Sequence, residues 1–417
     1  MPSPQPPTLE PGGAVEAYRH VPNGFRPGGA APPLAGASIV SFAVDRWTDV
    51  PRCRHHVMSR LARANQVLFT TSPCYVRDVL GPGADDAGKV ARVHDTLHTY
   101  APPRWLPYTY RFPHLDQISL NARALMLRRV MDRLSMQQPI LYIWHPSFAD
   151  VIGRFGERLV VYHCYDEYAA FTGSDRARVA TQEARVLERA DLVLAVSEGL
   201  YAKKRQQNAN THLVRNGVDY PLFASARERA TPVASELAGL RRPVVGCITR
   251  IVPDYFDALL LREVFARRPD WSFVVVGPEC SSSDALTALK ALPNVHLVGR
   301  RDLSALPSYL KGFDACLIPY VLTENKLLAD PLKLYEYLAA GKPVISKPLP
   351  GLSSFADVVS FATTADEWID AIDTAIRSDS EAMADRRQAV ARQHTWDARV
   401  DHIGRLIEHA LAGRRGR

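Results

Sequence analysis

Short runs of apolar residues alternate along the chain with longer segments in which apolar positions recur every three or four residues. The first pattern is typical of buried β-strands and the second of helices packed on a sheet. This alternation predicts an α/β fold, a parallel sheet with helices on both faces. In the first half, strands are predicted at 36–44, 66–71, 139–146, 158–164, 190–197 and 211–219, and helices at 52–65, 120–137 and 174–189.

A polar, alanine-rich stretch at 223–242 interrupts the alternation and is interpreted as a linker. Strand-like runs then return at 242–248, 271–277, 294–299, 314–320 and 343–346, before a final helix at about 396–411. We therefore expect two doubly wound domains that face each other across a cleft, with ligands beyond the carboxyl ends of the strands. The expected parts are a disordered Pro/Gly-rich tail (1–36), a first domain (37–222), a second domain (223–395), and a C-terminal helix with a basic tail (396–417).

The most clearly delimited helix is predicted within the segment DPLKLYEYLAAGKPVIS, residues 330–346. Asp330 is a favourable N-cap, and Pro331 suits the first helical position because its missing N–H is not needed there. Gly341 fits the position just after the helix, and Pro343 prevents the helix from continuing. The sequence therefore predicts a short helix followed directly by a strand.

One face of this helix would present Lys333, Glu336 and then Ala340. The helix N-terminus, at Pro331 and Leu332, adds free N–H groups and the positive end of the helix dipole, which suit a phosphate. A carboxylate one turn later can accept hydrogen bonds from two ribose hydroxyls. These features predict a nucleotide-diphosphate site. The alternative is a solvated ion pair between Lys333 and Glu336 on a surface helix.

Composition narrows the class of protein. Of the 417 residues, 47% are hydrophobic and 23% are charged, which is ordinary for a globular protein of two domains. The six cysteines are scattered without a CxxC pair, which argues against a zinc site or a disulfide framework and fits a reducing cytosol. We see no signal-peptide pattern and no apolar run near the roughly 20 residues that span a bilayer, so a cytoplasmic protein is expected.

The charge balance is moderately basic. The net charge is +7, and Arg414, Arg415 and Arg417 form a basic tail. Such an excess favours an anionic membrane surface or a phosphorylated substrate, although a solvated surface explains it equally well. Basic and aromatic residues are not interleaved in a patch, so no nucleic-acid partner is expected.

Several segments resemble the GT-B glycosyltransferases. The segment 330–346 is similar to their donor-sugar motif, NGVD (216–219) to the string that closes their first domain, and HTWDARV (394–400) to the start of their C-terminal helix. VYHCYDEYAAF (161–171) resembles a first-domain motif of bacterial members that assemble polysaccharides. The resemblance covers about 38–411. It implies two Rossmann-like domains, a nucleotide-sugar donor and a C-terminal helix that crosses back to the first domain.

The same resemblance assigns roles within the donor motif. It implies that Lys333 meets the donor phosphate or base and that Glu336 binds the ribose. Retaining members of the largest related branch carry two glutamates with seven residues between them; the second corresponds to Glu336, but the first position holds Leu328. Because this pair is incomplete, we expect an inverting enzyme, which needs a base to deprotonate the acceptor hydroxyl.

Asp166 is the first candidate for that base, because it follows the strand at 158–164 and should lie at the edge of the sheet. The resemblance also implies an aspartate base in this region. His145, which ends the strand at 139–146, is the alternative. Each has a structural interpretation as well: Asp166 as a turn residue and His145 as a hydrogen-bonding partner.

Three further site residues are expected at strand ends. Arg250, just beyond the strand at 242–248, is expected to help stabilise the leaving diphosphate, unless it is a surface cation. Asp45, at the end of the first strand, and Glu167, next to Asp166, are expected on the acceptor side.

The sequence offers no divalent-metal motif. No DxD pair is present, and Asp85 and Asp86 lie in a glycine-rich loop that resembles a solvent-exposed turn. The resemblance to GT-B enzymes also implies catalysis without a metal. We therefore expect neither a metal nor another cofactor, the nucleotide sugar being a substrate.

The favoured interpretation is a glycosyltransferase that uses a UDP- or GDP-sugar and a cytoplasmic, polyprenyl- or otherwise lipid-linked glycan acceptor, peripheral on the inner face of the membrane. One alternative is a non-hydrolysing nucleotide-sugar epimerase, which would need further acid/base carboxylates near the sugar. Another is a catalytically inactive subunit that only binds a nucleotide sugar; Lys333, Glu336 and Asp166 argue against it.

Overall fold

A computed structural model of the chain describes residues 31–48, 51–73, 87–109 and 112–415. Most of the tail expected at 1–36 lies outside the described residues, as do Asp85, Asp86 and Arg417. The described chain divides into two compact units. The first unit comprises residues 31–214 and 399–415, and the second unit comprises Arg215–Ala398. Each unit contains one sheet.

Fourteen strands lie within the described ranges. They are β1 (Ser38–Ala43), β2 (Gln66–Thr71), β3 (Val90–His94), β4 (Leu97–Tyr100), β5 (Ile140–Ile143), β6 (Leu159–Cys164), β7 (Leu192–Ala195), β8 (Thr211–Leu213), β9 (Val244–Ile248), β10 (Ser272–Val276), β11 (Val295–Gly299), β12 (Ala315–Ile318), β13 (Val344–Ser346) and β14 (Val359–Phe361). The first sheet has the order β3-β4-β2-β1-β5-β6-β7-β8, and the second β11-β10-β9-β12-β13-β14. All pairs are parallel except β3 with β4. The predicted α/β class is thus confirmed.

The helices of the described residues fall largely between the strands. They are α1 (Cys53–Leu61), α2 (Pro113–Arg133), α3 (Arg176–Arg189), α4 (Glu198–Arg205), α5 (Tyr220–Ala224), α6 (Ala258–Arg267), α7 (Asp284–Lys290), α8 (Leu306–Gly312), α9 (Glu324–Leu327), α10 (Leu332–Ala339), α11 (Ala365–Arg377), α12 (Glu381–Arg392) and α13 (Trp396–Arg415). Among them, no helix has the length and apolar character needed to cross a membrane.

Alternate residues of the second sheet enter two different hydrophobic clusters. Val244, Val274 and Cys316 pack in one, with the side chains of α8 and α10. Val245 and Val275 pack in the other, with α6 and α11. Successive side chains of a strand point to opposite faces, so both faces of the sheet are buried under helices. This arrangement explains why these strands are continuous apolar runs in the sequence.

The segment predicted as a linker, residues 223–242, is instead part of the second unit. Phe223, Ala226 and Leu237 are only 2%, 2% and 6% exposed and belong to the cluster beneath α8 and α10. Their apolar side chains are widely spaced in a polar stretch, so no periodic pattern revealed them. The unit boundary accordingly falls at 214/215, eight residues before the predicted boundary at 222/223.

Gly246 in β9 permits very close packing of an aromatic ring in this core. A Cβ at this position would lie 2.0 Å from Cδ2 of Phe313, a ring that is 1% exposed. We expect Gly246→Ala to lower the free energy of unfolding by about 1–3 kcal/mol, because the buried ring or the strand must move. Urea denaturation followed by circular dichroism measures this change.

Gly413→Ala in α13 is the matched control, because its added Cβ would meet nothing within 4 Å. Alanine is also the better helix former, so this variant should be at least as stable as the wild type. Equal stability of Gly246→Ala and the wild type would contradict the packing of Phe313 against β9.

Candidate active site

In parallel sheets, ligands bind beyond the carboxyl ends of the strands, where the strand order reverses. This reversal falls between β1 and β5 in the first sheet and between β9 and β12 in the second. Asp45 follows β1, and His145 follows β5; Arg250 follows β9. Helix α10 lies beyond β12. Each sheet therefore carries predicted site residues where its own strand order reverses. The position of each reversal is known only from the strand order of the folded sheets.

Helix α10 begins at Leu332 with Pro331 as its N-cap, and no side chain caps it. The predicted N-cap role of Asp330 is wrong, because its carboxylate has other partners. Oδ2 accepts the backbone N–H of Asn216 at 2.7 Å, and Oδ1 accepts the hydroxyl of Tyr335 at 2.7 Å. The first N–H groups of α10 are left without a side-chain acceptor, an arrangement that suits a phosphate.

Lys333 and Glu336 pair with each other on α10. Nζ of Lys333 lies 2.7 Å from Oε2 of Glu336, so the ion pair that the sequence allowed as an alternative is present. It is not fully solvated, since the two side chains are only 26% and 11% exposed. Burial raises the pKa of the Cys247 thiol in β9, and the ammonium of Lys333 opposes that rise. Lys333 therefore lies close to the central strands.

The end of β9 is held by two contacts, one to α10 and one to the residue that follows β10. The hydroxyl of Tyr337 accepts the backbone N–H of Ile248 at 2.8 Å. Gly277, at φ +149°, brings its backbone so close to Thr249 that a Cβ would lie 1.8 Å from the Thr249 carbonyl oxygen. Arg250 comes next and is half-buried; within the described ranges its guanidinium makes no ion pair or side-chain hydrogen bond. It is therefore available to an anionic ligand.

Lys326 is another cation of the second unit, and sequence reasoning missed it. It lies on α9 and is 1% exposed. Its Nζ is 3.3 Å from the ring centroid of Tyr255 and 5.5 Å from that of Tyr320, which follows β12 by two residues. The two aromatic faces stabilise the buried ammonium. No local pattern predicts this arrangement, because Tyr255 is far from Tyr320 and Lys326 in the sequence.

In the first unit, Asp45 is engaged by two arginines. Nη1 of Arg52 lies 3.2 Å from its Oδ1, and Nη2 of Arg54 pairs with its Oδ2. Arg54 is completely buried on α1, with its guanidinium carbon 4.8 Å from the ring centroid of Tyr165. No sequence pattern singled out Arg54. Because two cations already hold its carboxylate, Asp45 is a poor general base.

The ring of His145 has a structural role rather than that of a base. Its Nδ1 accepts the backbone N–H of Ser147 at 3.1 Å and so caps the 3₁₀ helix Pro146–Val151. A neutral imidazole that accepts at Nδ1 carries its proton on Nε2. Burial and the neighbouring Arg54 lower the pKa of His145 to about 3, so the ring is neutral at physiological pH. His145 is therefore not suited to act as the base.

Asp166 follows β6 by two residues and is partly exposed. Its charge acts on the groups around Arg54: burial, together with Asp166, raises the pKa of Cys53 to about 12. Burial also raises the pKa of Tyr165, a rise that Arg54 opposes and Asp166 reinforces. The structure thus gathers Asp45, His145 and Asp166 around one buried arginine, Arg54.

Glu167, expected on the acceptor side, is instead buried in an ionic network. Its Oε2 lies 2.9 Å from Nζ of Lys203 and 3.2 Å from Nζ of Lys204. Lys204, fully buried on α4, also pairs with Glu183 at 2.7 Å, and Glu183 accepts the hydroxyl of Tyr162 at 2.7 Å. Burial would raise the pKa of Glu167, but Lys204 and Lys203 lower it overall. Glu167 therefore anchors the loop that carries Asp166.

No metal centre emerges from this geometry. Within the described ranges, no group of three or more His, Cys, Asp or Glu residues is arranged to hold a metal ion. Asp85 and Asp86 lie outside those ranges. Metal-independence stays a prediction.

Comparison with known proteins identifies what the chain is similar to. Residues 242–378 match the family described as "Glycosyl transferases group 1". A glycosyltransferase assigned to teichuronic acid biosynthesis in Bacillus subtilis strain 168, TuaH, is 30% identical over 275 residues, which cover 61% of this chain and 68% of that protein.

Two solved structures share the fold. Sucrose-phosphate synthase from Thermosynechococcus elongatus superposes with a TM-score of 0.67 at 17% identity, over 90% of this chain and 100% of that one. HepE from Anabaena, solved in complex with UDP, gives a TM-score of 0.61 at 17% identity, with the same coverage. The predicted fold of two Rossmann-like sheets is therefore shared with proteins of known structure.

We expect Lys204→Met to lower the free energy of unfolding by about 3–5 kcal/mol at neutral pH, because it leaves two buried carboxylates without their shared cation. The difference from the wild type should shrink under acid conditions. The Lys203 and Lys204 partners depress the pKa of Glu167, so their stabilisation is present above its unfolded pKa and is lost as the pH falls through the folded one. Urea denaturation at neutral and acid pH measures both effects.

Lys203→Met is the matched control, since this neighbouring lysine binds the same carboxylate but its side chain is 43% exposed. It should cost no more than about 1 kcal/mol. Similar losses for the two variants would contradict the assignment of Lys204 as the central cation.

Proposed function

We propose, because this chain belongs to the glycosyl transferases group 1 family, that it moves a sugar from a nucleotide-diphosphate donor to a glycan acceptor. The chain is a glycosyltransferase enzyme with the two-sheet GT-B fold. One observation carries the proposal: the uncapped N-terminus of α10 begins beside a half-buried Lys333–Glu336 pair at the reversal point of the second sheet. The donor site is assigned there.

The donor's diphosphate is the group that must be stabilised as it leaves. The free N–H groups of Leu332 and Lys333 at the start of α10 favour a phosphate. The guanidinium of Arg250 and the ammonium of Lys333 supply two positive charges for the developing negative charge. Glu336, once Lys333 turns to phosphate, accepts the ribose hydroxyls. With these cations beside the leaving diphosphate, the reaction is proposed to proceed without a metal ion.

Asp166 is proposed as the general base. It takes the proton from the acceptor hydroxyl as that oxygen attacks the anomeric carbon and the bond from this carbon to the diphosphate oxygen breaks. A single displacement of this kind inverts the configuration. The incomplete glutamate pair supports inversion, since Leu328 stands where a retaining relative would carry its first glutamate. His145 is neutral and its Nδ1 already accepts the backbone N–H of Ser147, which supports Asp166 as the base.

The acceptor proposed is a growing polysaccharide. The similar protein TuaH is assigned to the synthesis of teichuronic acid, and HepE was solved with UDP, which makes a UDP-sugar the first donor to test, before GDP-sugars. A polyprenyl- or otherwise lipid-linked acceptor would keep the enzyme at the cytoplasmic face of the membrane as a peripheral protein. The basic net charge of +7 favours that location.

Asp166→Asn should reduce sugar transfer by about 100-fold to 10,000-fold, because an amide cannot accept the acceptor's proton. The affinity for the nucleotide should not change, since the donor site is proposed on α10. Turnover assays with a lipid-linked acceptor fraction and calorimetric titration of the nucleotide measure the two quantities.

Asp150→Asn is the control from the same unit, because Asp150 pairs only with the exposed Arg185 in its described ion pairs. Its turnover should equal that of the wild type. Full activity of Asp166→Asn would overturn the assignment of the base. A product whose anomeric configuration, read from its NMR spectrum, matches that of the donor would overturn the inverting reaction.

A further inference from the structure

The first unit exposes several large apolar side chains within one short stretch of the chain. Within the described residues, five of them lie between positions 105 and 125, and we call this set the apolar face: Trp105 (68% exposed), Phe112 (58%), Leu115 (54%), Ile118 (65%) and Leu125 (50%). Single exposed apolar residues are ordinary, but a cluster of this kind marks a surface that binds something.

Helix α2 has two apolar faces that point in opposite directions. At 100° per residue, Leu115, Ile118, Ala122 and Leu125 fall within an arc of about 80°. The buried residues Ala124, Leu127, Val130 and Met131 lie on the other side of the helix, toward the core. Core packing therefore accounts for one apolar face of α2 and leaves the other without an explanation in the fold.

The rest of the apolar face is held beside α2. The side chain of Arg123 donates to the carbonyl oxygens of Leu106 and Pro107, at 3.0 and 3.2 Å. Ser119 also donates to the Pro107 carbonyl, at 2.9 Å. The segment that begins at the exposed Trp105 is thus fixed along the helix. An indole anchored in this way suits the boundary between water and lipid.

Toward the C-terminus of α2, the same side of the helix carries positively charged side chains. Arg129 and Arg133 follow Leu125 at intervals of four residues, and both are exposed. In the last two turns of α2, three arginines (Arg128, Arg129 and Arg133) stand against one carboxylate, Asp132. The face therefore combines apolar side chains with a basic end, which complements a surface of acyl chains and anionic headgroups.

We infer that the outward face of α2, with Trp105 and Phe112, docks this enzyme on an anionic lipid membrane. The inference rests on the proposed function, because a lipid-linked acceptor is what would make such docking useful. The apolar side chains enter the headgroup boundary while the arginines reach lipid phosphates, their long side chains bending toward the polar layer.

A second copy of the chain fits this face less well. In a two-fold dimer of α2 helices, the arginines of one copy would meet either the arginines or the apolar side chains of the other. Either arrangement removes guanidinium groups from water, and Asp132 alone cannot pair with all of them. A lipid surface offers phosphate to every arginine at once.

The test is co-sedimentation of the full-length protein with vesicles of phosphatidylcholine, with and without phosphatidylglycerol. The wild type should pellet with the anionic vesicles and less so at high salt. Leu115→Ser/Ile118→Ser should lose most of this binding, and Arg129→Gln/Arg133→Gln should weaken it by about fivefold per arginine. Leu259→Ser/Arg262→Gln is the matched control, because it removes an exposed leucine and an exposed arginine from α6 of the second unit.

Three outcomes overturn the inference: no pelleting of the wild type, equal pelleting of the α2 variants, or a wild-type dimer in sedimentation velocity that the same variants dissociate. The nucleotide affinity of each variant is measured alongside and should match the wild type. An α2 variant that loses vesicle binding but keeps its nucleotide affinity would support the docking surface and leave the donor site unaffected. A wild type that binds vesicles but no nucleotide sugar would instead contradict the proposed function.

Discussion

The buried carboxylate of Asp330 is the constraint on which the donor site depends. It joins the segment where the second unit begins, through Asn216, to the hydroxyl of Tyr335 on α10. The Asn216 side chain returns a hydrogen bond to the Asp330 carbonyl at 2.7 Å. Because these partners occupy Asp330, it does not cap the helix. Its structural role thus leaves the helix N-terminus open for a phosphate. A capping aspartate would instead have occupied these N–H groups and repelled the phosphate by its charge.

In the first unit, too, one buried charged residue has a structural role while its neighbour is proposed for catalysis. Glu167 is held by buried Lys204 and fixes the loop after β6, while its neighbour Asp166 remains partly exposed. Arg54 engages Asp45 and, with burial, keeps His145 neutral. Asp45 and His145 are thereby held in structural contacts, which supports the proposal of Asp166 as the base. In both units, a buried ionic residue with a structural role stands beside the residue assigned to chemistry.

The sequence predicted features that depend on neighbouring residues. Strand β2 has the predicted bounds, because a continuous apolar run is visible locally, and Gly341 follows α10 with φ +73° as its position required. The β3–β4 pair was missed, since β3 is mostly exposed and shows no apolar alternation. Likewise, α2 begins at 113 rather than 120, because its first apolar residues face outward. The partners of Asp330, Arg54 and Lys204 come from distant segments, so only the folded chain shows what those side chains do.

The central claim is that α10 holds the donor nucleotide, and calorimetric titration of Lys333→Ala tests it most directly. UDP-, GDP- and dTDP-sugars are titrated into the wild type, this variant and Lys290→Ala, which breaks a surface ion pair with Glu279 in the same unit. We predict that Lys333→Ala binds the wild-type nucleotide about 10-fold to 100-fold more weakly, because a charged hydrogen bond to phosphate is lost. The affinity of Lys290→Ala should equal that of the wild type. Equal affinity of Lys333→Ala and the wild type would contradict the account.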